Sequence, residues 1–301
     1  MNKEIQTTVG KEGFEGILFP ADNTKDKILI VISGSNGGMK LTKECAEFYS
    51  RHSVPALALA IFGTKQTEKN LDRIPLEYVE FAIRWLKKLG YRRIGIDGTS
   101  KGSELALLCA SLFPDISCVI ARVPSYFVSE GLVSKGKMKK PSGTSCWSYH
   151  GKEIPFARYN YRSFNLPKII LKERELHLIS INKEKTIKDE DIISVEKINA
   201  PILLLSGKND AVWPSYQSCL YIEKRLKEKG FEYPVKHIAF EYIGHEMLVS
   251  LSPLYKLAFR AERKYKTECK EERKRLAYEM RELGQKSMEM RYNNGISYIW
   301  K

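Results

Sequence analysis

The feature that most constrains the fold is an alternation of short apolar runs with segments whose apolar residues recur at helical spacing. The apolar runs are KILIVIS (27–33), PALALAIF (55–62), RRIGID (92–97) and ISCVIA (116–121). The helical segments between and after them are 39–52, 76–89 and 101–113. Parallel strands need crossover connections, which are usually helices. The pattern therefore predicts an α/β fold, with a mostly parallel central sheet and helices on both faces.

The alternation is interrupted after residue 124 and resumes at residue 201. PILLLSG (201–207) predicts a strand, 214–229 a helix and VKHIAFEY (235–242) a further strand. The intervening residues 125–198 are rich in Lys, Tyr, Ser and Gly and lack sustained periodicity, which is typical of a functional cap or lid. We expect one domain, with a core over about 15–124 and 199–255 and an inserted, irregular cap over about 125–198.

The C-terminal part, about 256–292, is dense in Lys, Arg and Glu. Four apolar residues recur there at helical spacing: Leu276, Met280, Leu283 and Met288. The segment predicts a long helix that packs on the domain through this stripe. A second interpretation makes it an arm that contacts a partner chain, as in a homo-oligomer. The first is favoured, because a charge-rich helix face is usually just solvated.

A serine stands where a predicted strand passes directly into a predicted helix. The residues Gly98-Thr99-Ser100-Lys101-Gly102 match the G-x-S-x-G nucleophile elbow. The glycines have a steric purpose, because the serine needs a strained backbone and neighbouring side chains would collide with the strand and the helix. The strand before the motif and the helix after it are the context that the motif requires. Ser100 is therefore the candidate nucleophile.

A serine nucleophile needs a base, and the base needs a carboxylate that orients it. Asp210 follows the strand PILLL, and His245 follows the last predicted strand. Both lie at carboxyl ends of strands, where an open α/β sheet places its site, and the order Ser, Asp, His is that of this type of hydrolase. Asp210 could instead cap the next helix, and His245 could be an ordinary loop residue. Their joint order favours a catalytic triad.

The loop SGSNGG (33–38) offers backbone donors beside the elbow. We expect the N–H groups of Ser35, Asn36 and Lys101 to form an oxyanion hole, which stabilises charge that develops in the transition state. The loop lacks the GKS or GKT ending of a phosphate-binding loop. His, Cys and Asp residues show no metal-ligand spacing. We expect no metal and no other cofactor.

Composition narrows the choice of partners. The 301 residues carry 50 Lys+Arg against 36 Asp+Glu, a formal charge of +14, which suggests an anionic partner or only a lysine-rich solvated surface. The basic residues form no recognised nucleic-acid motif, so we expect no nucleic acid. Six scattered cysteines, a polar N-terminus and the lack of a long apolar segment predict a cytoplasmic protein that does not span a membrane.

Seven stretches together resemble a known family. They are ISGSNGG, VPALALA, IPLEYVEFAIRWL, GIDGTSKGSELALLCAS, WSYHGKEIPF, LLLSGKNDAVWPS and YIGHEM, which lie between about residues 27 and 250. They are similar to the catalytic domain shared by acyl-CoA thioesterases and bile acid-CoA:amino acid N-acyltransferases, and SKGSELALLCAS is the most specific of them. Larger members carry a β-sandwich domain ahead of this one, and the residues before Lys27 are too few for it.

The resemblance implies an α/β-hydrolase fold, with the triad carboxylate at Asp210 and the base at His245. The family's nucleophile is serine in the thioesterase branch and cysteine in the bile-acid conjugating branch, so with Ser100 the resemblance favours hydrolysis over transfer to an amine. We expect a small-molecule substrate, an acyl thioester. An esterase or peptidase, an acyl transferase and a non-catalytic binding protein are alternatives, although an intact Ser, Asp and His argues against the last. Four cap lysines could attract the phosphates of coenzyme A or could simply be solvated: Lys135, Lys137, Lys139 and Lys140.

Overall fold

One large sheet organises the part of the chain that the computed structural model describes, which is residues 4–21, 26–135, 138–159, 187–210, 212–247 and 264–289. Its strands are β1 (Ile5–Thr7), β2 (Glu15–Phe19), β3 (Lys27–Ile32), β4 (Ala56–Ala60), β6 (Arg93–Thr99), β7 (Ile116–Arg122), β12 (Ile202–Gly207) and β13 (Val235–Phe240). They lie in the order β1-β2-β4-β3-β6-β7-β12-β13. The pairs from β4 to β13 are parallel, and β1 and β2 form an antiparallel edge. The predicted parallel sheet is confirmed.

The helices connect these strands. They are α1 (Val9–Glu12), α2 (Lys40–Arg51), α3 (Glu77–Lys88), α4 (Lys101–Leu112), α5 (Ser215–Glu228) and α6 (Lys266–Glu289). The first and last residues of the segments predicted as strands and helices agree with the observed ones within one or two residues. The exception is α6, whose described part begins later than the expected 256. The antiparallel pair β1 and β2 was not predicted, because half-exposed residues interrupt its apolar pattern.

The core lies on both faces of the sheet, and alternate strand residues belong to opposite faces. Ile28, Ile30 and Ile32 pack on the face covered by α3, α4 and α5. Leu29 and Val31 pack on the face covered by α2 and α6. The helices on both faces that the alternation predicted are therefore present. Within the described residues, no helix is long and apolar enough to cross a membrane.

The insertion after β7 is more regular than its sequence indicates. β8 (Glu130–Lys135) and β9 (Met138–Ser145) form an antiparallel hairpin, followed by β10 (Trp147–Tyr149) and β11 (Lys152–Glu153), with β10 paired to the short β5 (Ile74–Pro75). The expectation of an irregular segment was wrong for this part. Polar, lysine and glycine residues fill the hairpin, so its strands lack the apolar alternation that would reveal them. The described insertion also contributes to the core, since Trp147 is fully buried there. Its division from the core domain stays a prediction.

The C-terminal helix α6 packs on the domain along its apolar stripe. Leu276 and Met280 are fully buried in the same cluster as residues of β3 and β7. The side chains of Leu283 and Met288 lie outside the described residues. The packing interpretation therefore holds for the first half of the helix, and a homo-oligomer through α6 stays a prediction.

Two glycines let the nucleophile strand and its neighbours approach one another. A Cβ built on Gly98 would lie 2.0 Å from the carbonyl oxygen of Gly102, and one on Gly102 would lie 2.4 Å from that of Ser33. Both distances join a side-chain carbon to backbone, which cannot turn aside as a flexible side chain can. The sharp turn between β6 and α4 therefore requires glycine at both positions.

We predict that Gly98→Ala lowers the free energy of unfolding by about 3 kcal/mol or more, because the backbone around Gly102 must shift to admit the methyl group. Chemical denaturation followed by circular dichroism measures the change. Gly10→Ala is the matched control, since a Cβ there meets nothing within 4 Å. Equal stability of the two variants would contradict the packing argument.

Candidate active site

Ser100 occupies the turn between β6 and α4 in a backbone conformation that few residues adopt. Its φ of 57° and ψ of −119° lie outside the common regions for an L-residue. The turn is held by the Ser100 N–H, which donates to the Arg122 carbonyl at 2.9 Å, and by the Ser100 carbonyl, which accepts from the N–H groups of Ser103 and Glu104. Ser100 thus stands at the carboxyl end of a central strand, on a strained turn.

His245 and Asp210 lie within hydrogen-bond distance of this serine. The His245 Nε2 atom is 2.8 Å from Ser100 Oγ, and Nδ1 is 3.0 Å from each carboxylate oxygen of Asp210. A carboxylate only accepts, so Nδ1 carries the proton and donates to it. Nε2 is then the acceptor for the serine O–H. The three sequence-derived candidates form one continuous line of hydrogen bonds.

Asp210 is fixed by three groups besides His245. Its Oδ1 accepts from the N–H groups of Val212 and Trp213, at 3.0 and 3.2 Å, and its Oδ2 accepts from the Ser215 hydroxyl at 2.6 Å. The Trp213 ring also lies edge-on to the imidazole of His245, with ring centroids 5.5 Å apart. The described contacts of Asp210 with α5 are made through the Ser215 hydroxyl and include no N–H of the helix, so the alternative interpretation as a helix cap is not supported.

The charge of Asp210 controls the pKa of His245. Burial of the imidazole lowers its pKa, but the carboxylate beside it outweighs burial through its charge and its hydrogen bond, so the net pKa is raised above 6.5. The side chains of His245 and Asp210 are only 9% and 1% exposed, so water screens this interaction weakly. The imidazole is therefore a stronger base than a free histidine.

The three predicted oxyanion donors come from the loop after β3 and from the start of α4. Ser35 and Asn36 line a cavity of about 50 Å³ that also contacts Ser100 and His245. Among the described groups, the N–H groups of Ser35, Asn36 and Lys101 have no acceptor. Lys101 opens α4, and the first N–H groups of a helix have no partner within it. These donors are thus available to a ligand, and their role stays a prediction.

The structure brings one of the four cap lysines to the candidate site. Lys139 donates to the carbonyl of Ser35 and lies 6.0 Å from the centroid of the Phe62 ring. Partial burial lowers the pKa of Lys139. Lys140 is exposed. Lys137 and the side chain of Lys135 lie outside the described residues.

Sequence analysis missed a buried ion pair that lies next to the candidate site. Arg122, at the end of β7, donates to Asp97 on β6 at 2.9 Å and to the carbonyl of Met247 at 3.0 Å. Met247 in turn donates its N–H to the carbonyl of His245. Tyr49 donates to Asp97 at 2.7 Å from α2. The ion pair of Arg122 and Asp97 therefore joins β6, the strand that precedes Ser100, to the loop that carries His245. A charged residue at the end of each of two apolar strands was the available signal.

A thiol completes this cluster. Cys45 on α2 accepts from Arg122 at 3.3 Å and contacts Asp97. Burial raises the pKa of Cys45 to about 12, despite the opposing charge of Arg122. Although Cys45 lines the same cavity as Ser100, its thiol is therefore protonated at neutral pH.

A second buried cluster attaches the insertion to α4, the helix that follows Ser100. Glu104 on α4 accepts from the Trp147 indole N–H at 2.7 Å and from the hydroxyl and N–H of Ser129 at 2.7 and 3.0 Å. Lys101 donates to Ser129 and to Glu104. These charges were missed as well, although a Lys and a Glu within the otherwise apolar SKGSELALLCAS were a visible signal.

Another serine and histidine are hydrogen-bonded elsewhere in the fold. Ser206 lies 2.7 Å from His237 Nε2, and His237 Nδ1 lies 2.9 Å from Glu223. Ser206 is fully buried within β12, so a substrate cannot reach its hydroxyl.

Comparisons with known proteins agree with the geometry. The family described as BAAT / Acyl-CoA thioester hydrolase C terminal matches residues 74–268, more than half of the chain. Acyl-coenzyme A thioesterase 1 of Rattus norvegicus is 25% identical over 75% of this chain and 50% of its own length. Acyl-coenzyme A amino acid N-acyltransferase 1 of Mus musculus is also 25% identical, with the same coverage. The chain spans about half the length of the curated relatives it matches.

The solved structures show the fold. The Pyrococcus furiosus esterase Pf2001 superposes with a TM-score of 0.54 at 15% identity, covering 93% of this chain and 92% of its own. The parallel sheet with helices on both faces is that of the α/β-hydrolases. The predicted fold class is confirmed.

We predict that Arg122→Met lowers the free energy of unfolding by about 3–5 kcal/mol, because it leaves the Asp97 carboxylate buried without its cation. Urea denaturation measures this loss. The control is Arg84→Met, which breaks an ion pair with Glu80 whose arginine side chain is 57% exposed, and should cost less than about 1 kcal/mol. The double variant Asp97→Asn/Arg122→Met should recover part of the loss. Similar losses in the two single variants would contradict the argument.

Proposed function

Because the chain belongs to the BAAT / acyl-CoA thioester hydrolase C-terminal family, we propose that it hydrolyses acyl thioesters through an acyl-enzyme on Ser100. The observation that carries the proposal is the unbroken line of hydrogen bonds from Ser100 through His245 to Asp210. In this role Ser100 is the nucleophile, His245 the general base and then the general acid, and Asp210 the carboxylate that holds the imidazole.

In the first half of the reaction, Ser100 Oγ attacks the thioester carbonyl while its proton passes to His245 Nε2. The carbonyl oxygen becomes an oxyanion, and the N–H groups of Lys101, Ser35 and Asn36 are the donors proposed to stabilise it. The carbon–sulfur bond then breaks, and the imidazolium protonates the departing thiolate. The acyl group stays on Ser100 as an ester.

In the second half, a water molecule replaces the thiol. His245 takes a proton from the water as it attacks the acyl ester, and returns that proton to Ser100 Oγ when the carboxylic acid leaves. Asp210 stabilises the imidazolium in both halves and is not itself protonated. Its three other donors, from Val212, Trp213 and Ser215, keep the carboxylate aligned with Nδ1 throughout.

The choice of a thioester over an ordinary ester rests on the family and on charge. Both relatives described above have names that refer to acyl-coenzyme A. The formal charge of +14 favours an anionic substrate such as an acyl-CoA. Lys139, which donates to the carbonyl of Ser35 in the oxyanion loop, is a candidate for attracting its phosphates as a point charge.

Transfer of the acyl group to an amine is the second candidate, because an amino acid N-acyltransferase matches the chain at the same identity and over the same share of the chain as the thioesterase. In transfer, an amine would take the place of water in the second half. The serine at position 100 favours hydrolysis, since the family resemblance associates cysteine with the conjugating branch. Product analysis with added glycine or taurine separates the two, and an N-acyl amino acid would support transfer.

We expect wild-type protein to release free thiol from acyl-CoA esters and to be labelled by a fluorophosphonate. Ser100→Ala should abolish labelling and lower kcat by at least about 10³-fold, because the attacking hydroxyl is lost. Thiol release over a panel of acyl-CoA chain lengths, compared with aryl esters, is the measurement. Ser206→Ala is the control, since its hydroxyl also bonds a histidine but is buried. Thiol release that survives in Ser100→Ala would overturn the proposal.

The pH dependence follows from the raised pKa of His245. The base must be neutral, so kcat/KM should fall as the pH drops through that pKa, with an acid limb above pH 6.5. Asp210→Asn removes the carboxylate that raises the pKa, and we predict that the limb moves to lower pH while kcat also falls. A pH–rate profile of each protein tests this. An acid limb that stays in place in Asp210→Asn would contradict the assigned role of Asp210.

A further inference from the structure

The C-terminal helix α6 holds the loop that carries His245. Glu272, on the second turn of this helix, accepts three backbone hydrogen bonds from that loop. The N–H of Glu241 donates to its Oε1 at 2.7 Å, and those of Tyr242 and Ile243 donate to its Oε2 at 2.8 and 2.7 Å. One carboxylate thus satisfies three consecutive loop amides, four to two residues before the imidazole.

Other residues of α6 secure the same loop. Arg273 donates to the carbonyl of Glu246 at 2.8 Å, directly after His245. The Cys269 thiol donates to the carbonyl of Tyr242 at 3.4 Å. Leu276 is fully buried in one cluster with Ile243 and Met247. The loop is therefore held on both sides of His245 by groups from one helix.

The loop needs such an anchor because it leaves the sheet immediately after β13. Its amides have no further strand to pair with, and a buried N–H without an acceptor is costly. A carboxylate is a strong acceptor for them, since hydrogen bonds to a charged group are about twice as strong as neutral ones. Three successive N–H groups converge on this one carboxylate, which limits the conformations that residues 241–243 can adopt. The anchor therefore restricts where Gly244 and His245 can lie.

We propose that Glu272 is a positioning residue for His245, which sets the imidazole at hydrogen-bond distance from Ser100 by fixing residues 241–243. This inference rests on the proposed function and assigns a task to the charged C-terminal helix. Glu272 does not touch the reacting atoms. It acts through the loop backbone. Arg122 holds the other end of the same loop, because it donates to the carbonyl of Met247.

The neighbouring residue Glu271 provides a matched control. Its side chain is 60% exposed and pairs with Lys274 on the surface. Glu271→Gln and Glu272→Gln remove the same charge from adjacent positions of one helix, but only the second disturbs the loop. Glutamine keeps one carbonyl oxygen that accepts, but its NH2 group only donates, so at least one of the three loop N–H groups loses its acceptor.

We expect Glu272→Gln to lower kcat for thioester hydrolysis by about 10-fold to 100-fold, since a small displacement of a catalytic group has an effect of that size. KM should change by less than about threefold, because no substrate contact is lost. The fluorophosphonate labelling rate should fall in parallel. Glu271→Gln should match the wild type in all three. A kcat of Glu272→Gln within about twofold of the control would overturn the proposal.

A purely structural role for Glu272 predicts different results from a positioning role. If the substitution only reduced the amount of folded protein, the measured activity would fall in proportion and its pH dependence would stay the same. Displacement of the loop would weaken the contact of His245 with Asp210, so the acid limb and the imidazole pKa seen by NMR should both move to lower pH. Hydrogen exchange at residues 241–246 should also become faster in Glu272→Gln alone. A lowered kcat with an unchanged imidazole pKa and unchanged exchange would overturn the positioning role.

The same measurements separate failure of this inference from failure of the proposed function. Wild-type protein that neither releases thiol nor reacts with the fluorophosphonate would contradict the proposed function. The imidazole pKa and the exchange of residues 241–246 need no substrate, and they decide the role of Glu272 in either case. Glu272→Asp, which keeps the charge but shortens the side chain, should give an intermediate pKa. Thermal unfolding identifies a temperature at which all variants are folded.

Discussion

The line of hydrogen bonds from Ser100 to Asp210 depends on one imidazole that must touch two groups at once. His245 lies 145 residues from Ser100 along the chain and 35 from Asp210. Its ring reaches both because β6, β12 and β13 are parallel and end at the same edge of the sheet. The sheet brings the loops together to within a few ångströms, and the remaining precision has to come from contacts made by the loops themselves.

Buried charges supply that precision. Arg122 and Asp97 connect the elbow to the His245 loop, and Glu104 connects α4 to the insertion. Glu272 holds the same loop from α6. Burying charges costs desolvation free energy that well-packed apolar residues would avoid. A charged pair accepts only a few geometries, however, and a site built from loops gains a defined position from that restriction.

The turn at Ser100 likewise combines a strained backbone with hydrogen bonds that hold it in place. Ser100 has a backbone conformation that disfavours any residue with a side chain, and glycine at 98 and 102 allows the strand, helix and oxyanion loop to close around it. The Ser100 N–H donates to the Arg122 carbonyl, and the N–H groups of Ser103 and Glu104 donate to the Ser100 carbonyl, which keeps the turn in place. Strain at this turn is thus maintained by a rigid frame and exposes the hydroxyl towards His245.

The amino-acid sequence alone determined the alternation of strands and helices, the parallel sheet and the elbow at Ser100, because these depend on local periodicity and on glycine spacing. It also selected Asp210 and His245 as candidates from their positions after strands.

Sequence analysis missed the hairpin β8–β9, whose strands bury too little apolar surface to show a pattern. It also gave no partner for Arg122, Glu104 or Glu272. The partners of Arg122 and Glu104 include groups 125 and 43 residues away, and Glu272 binds loop amides about 30 residues away. Only the tertiary structure decided these contacts, since a charged residue in a sequence carries no record of which distant backbone or side chain will satisfy it.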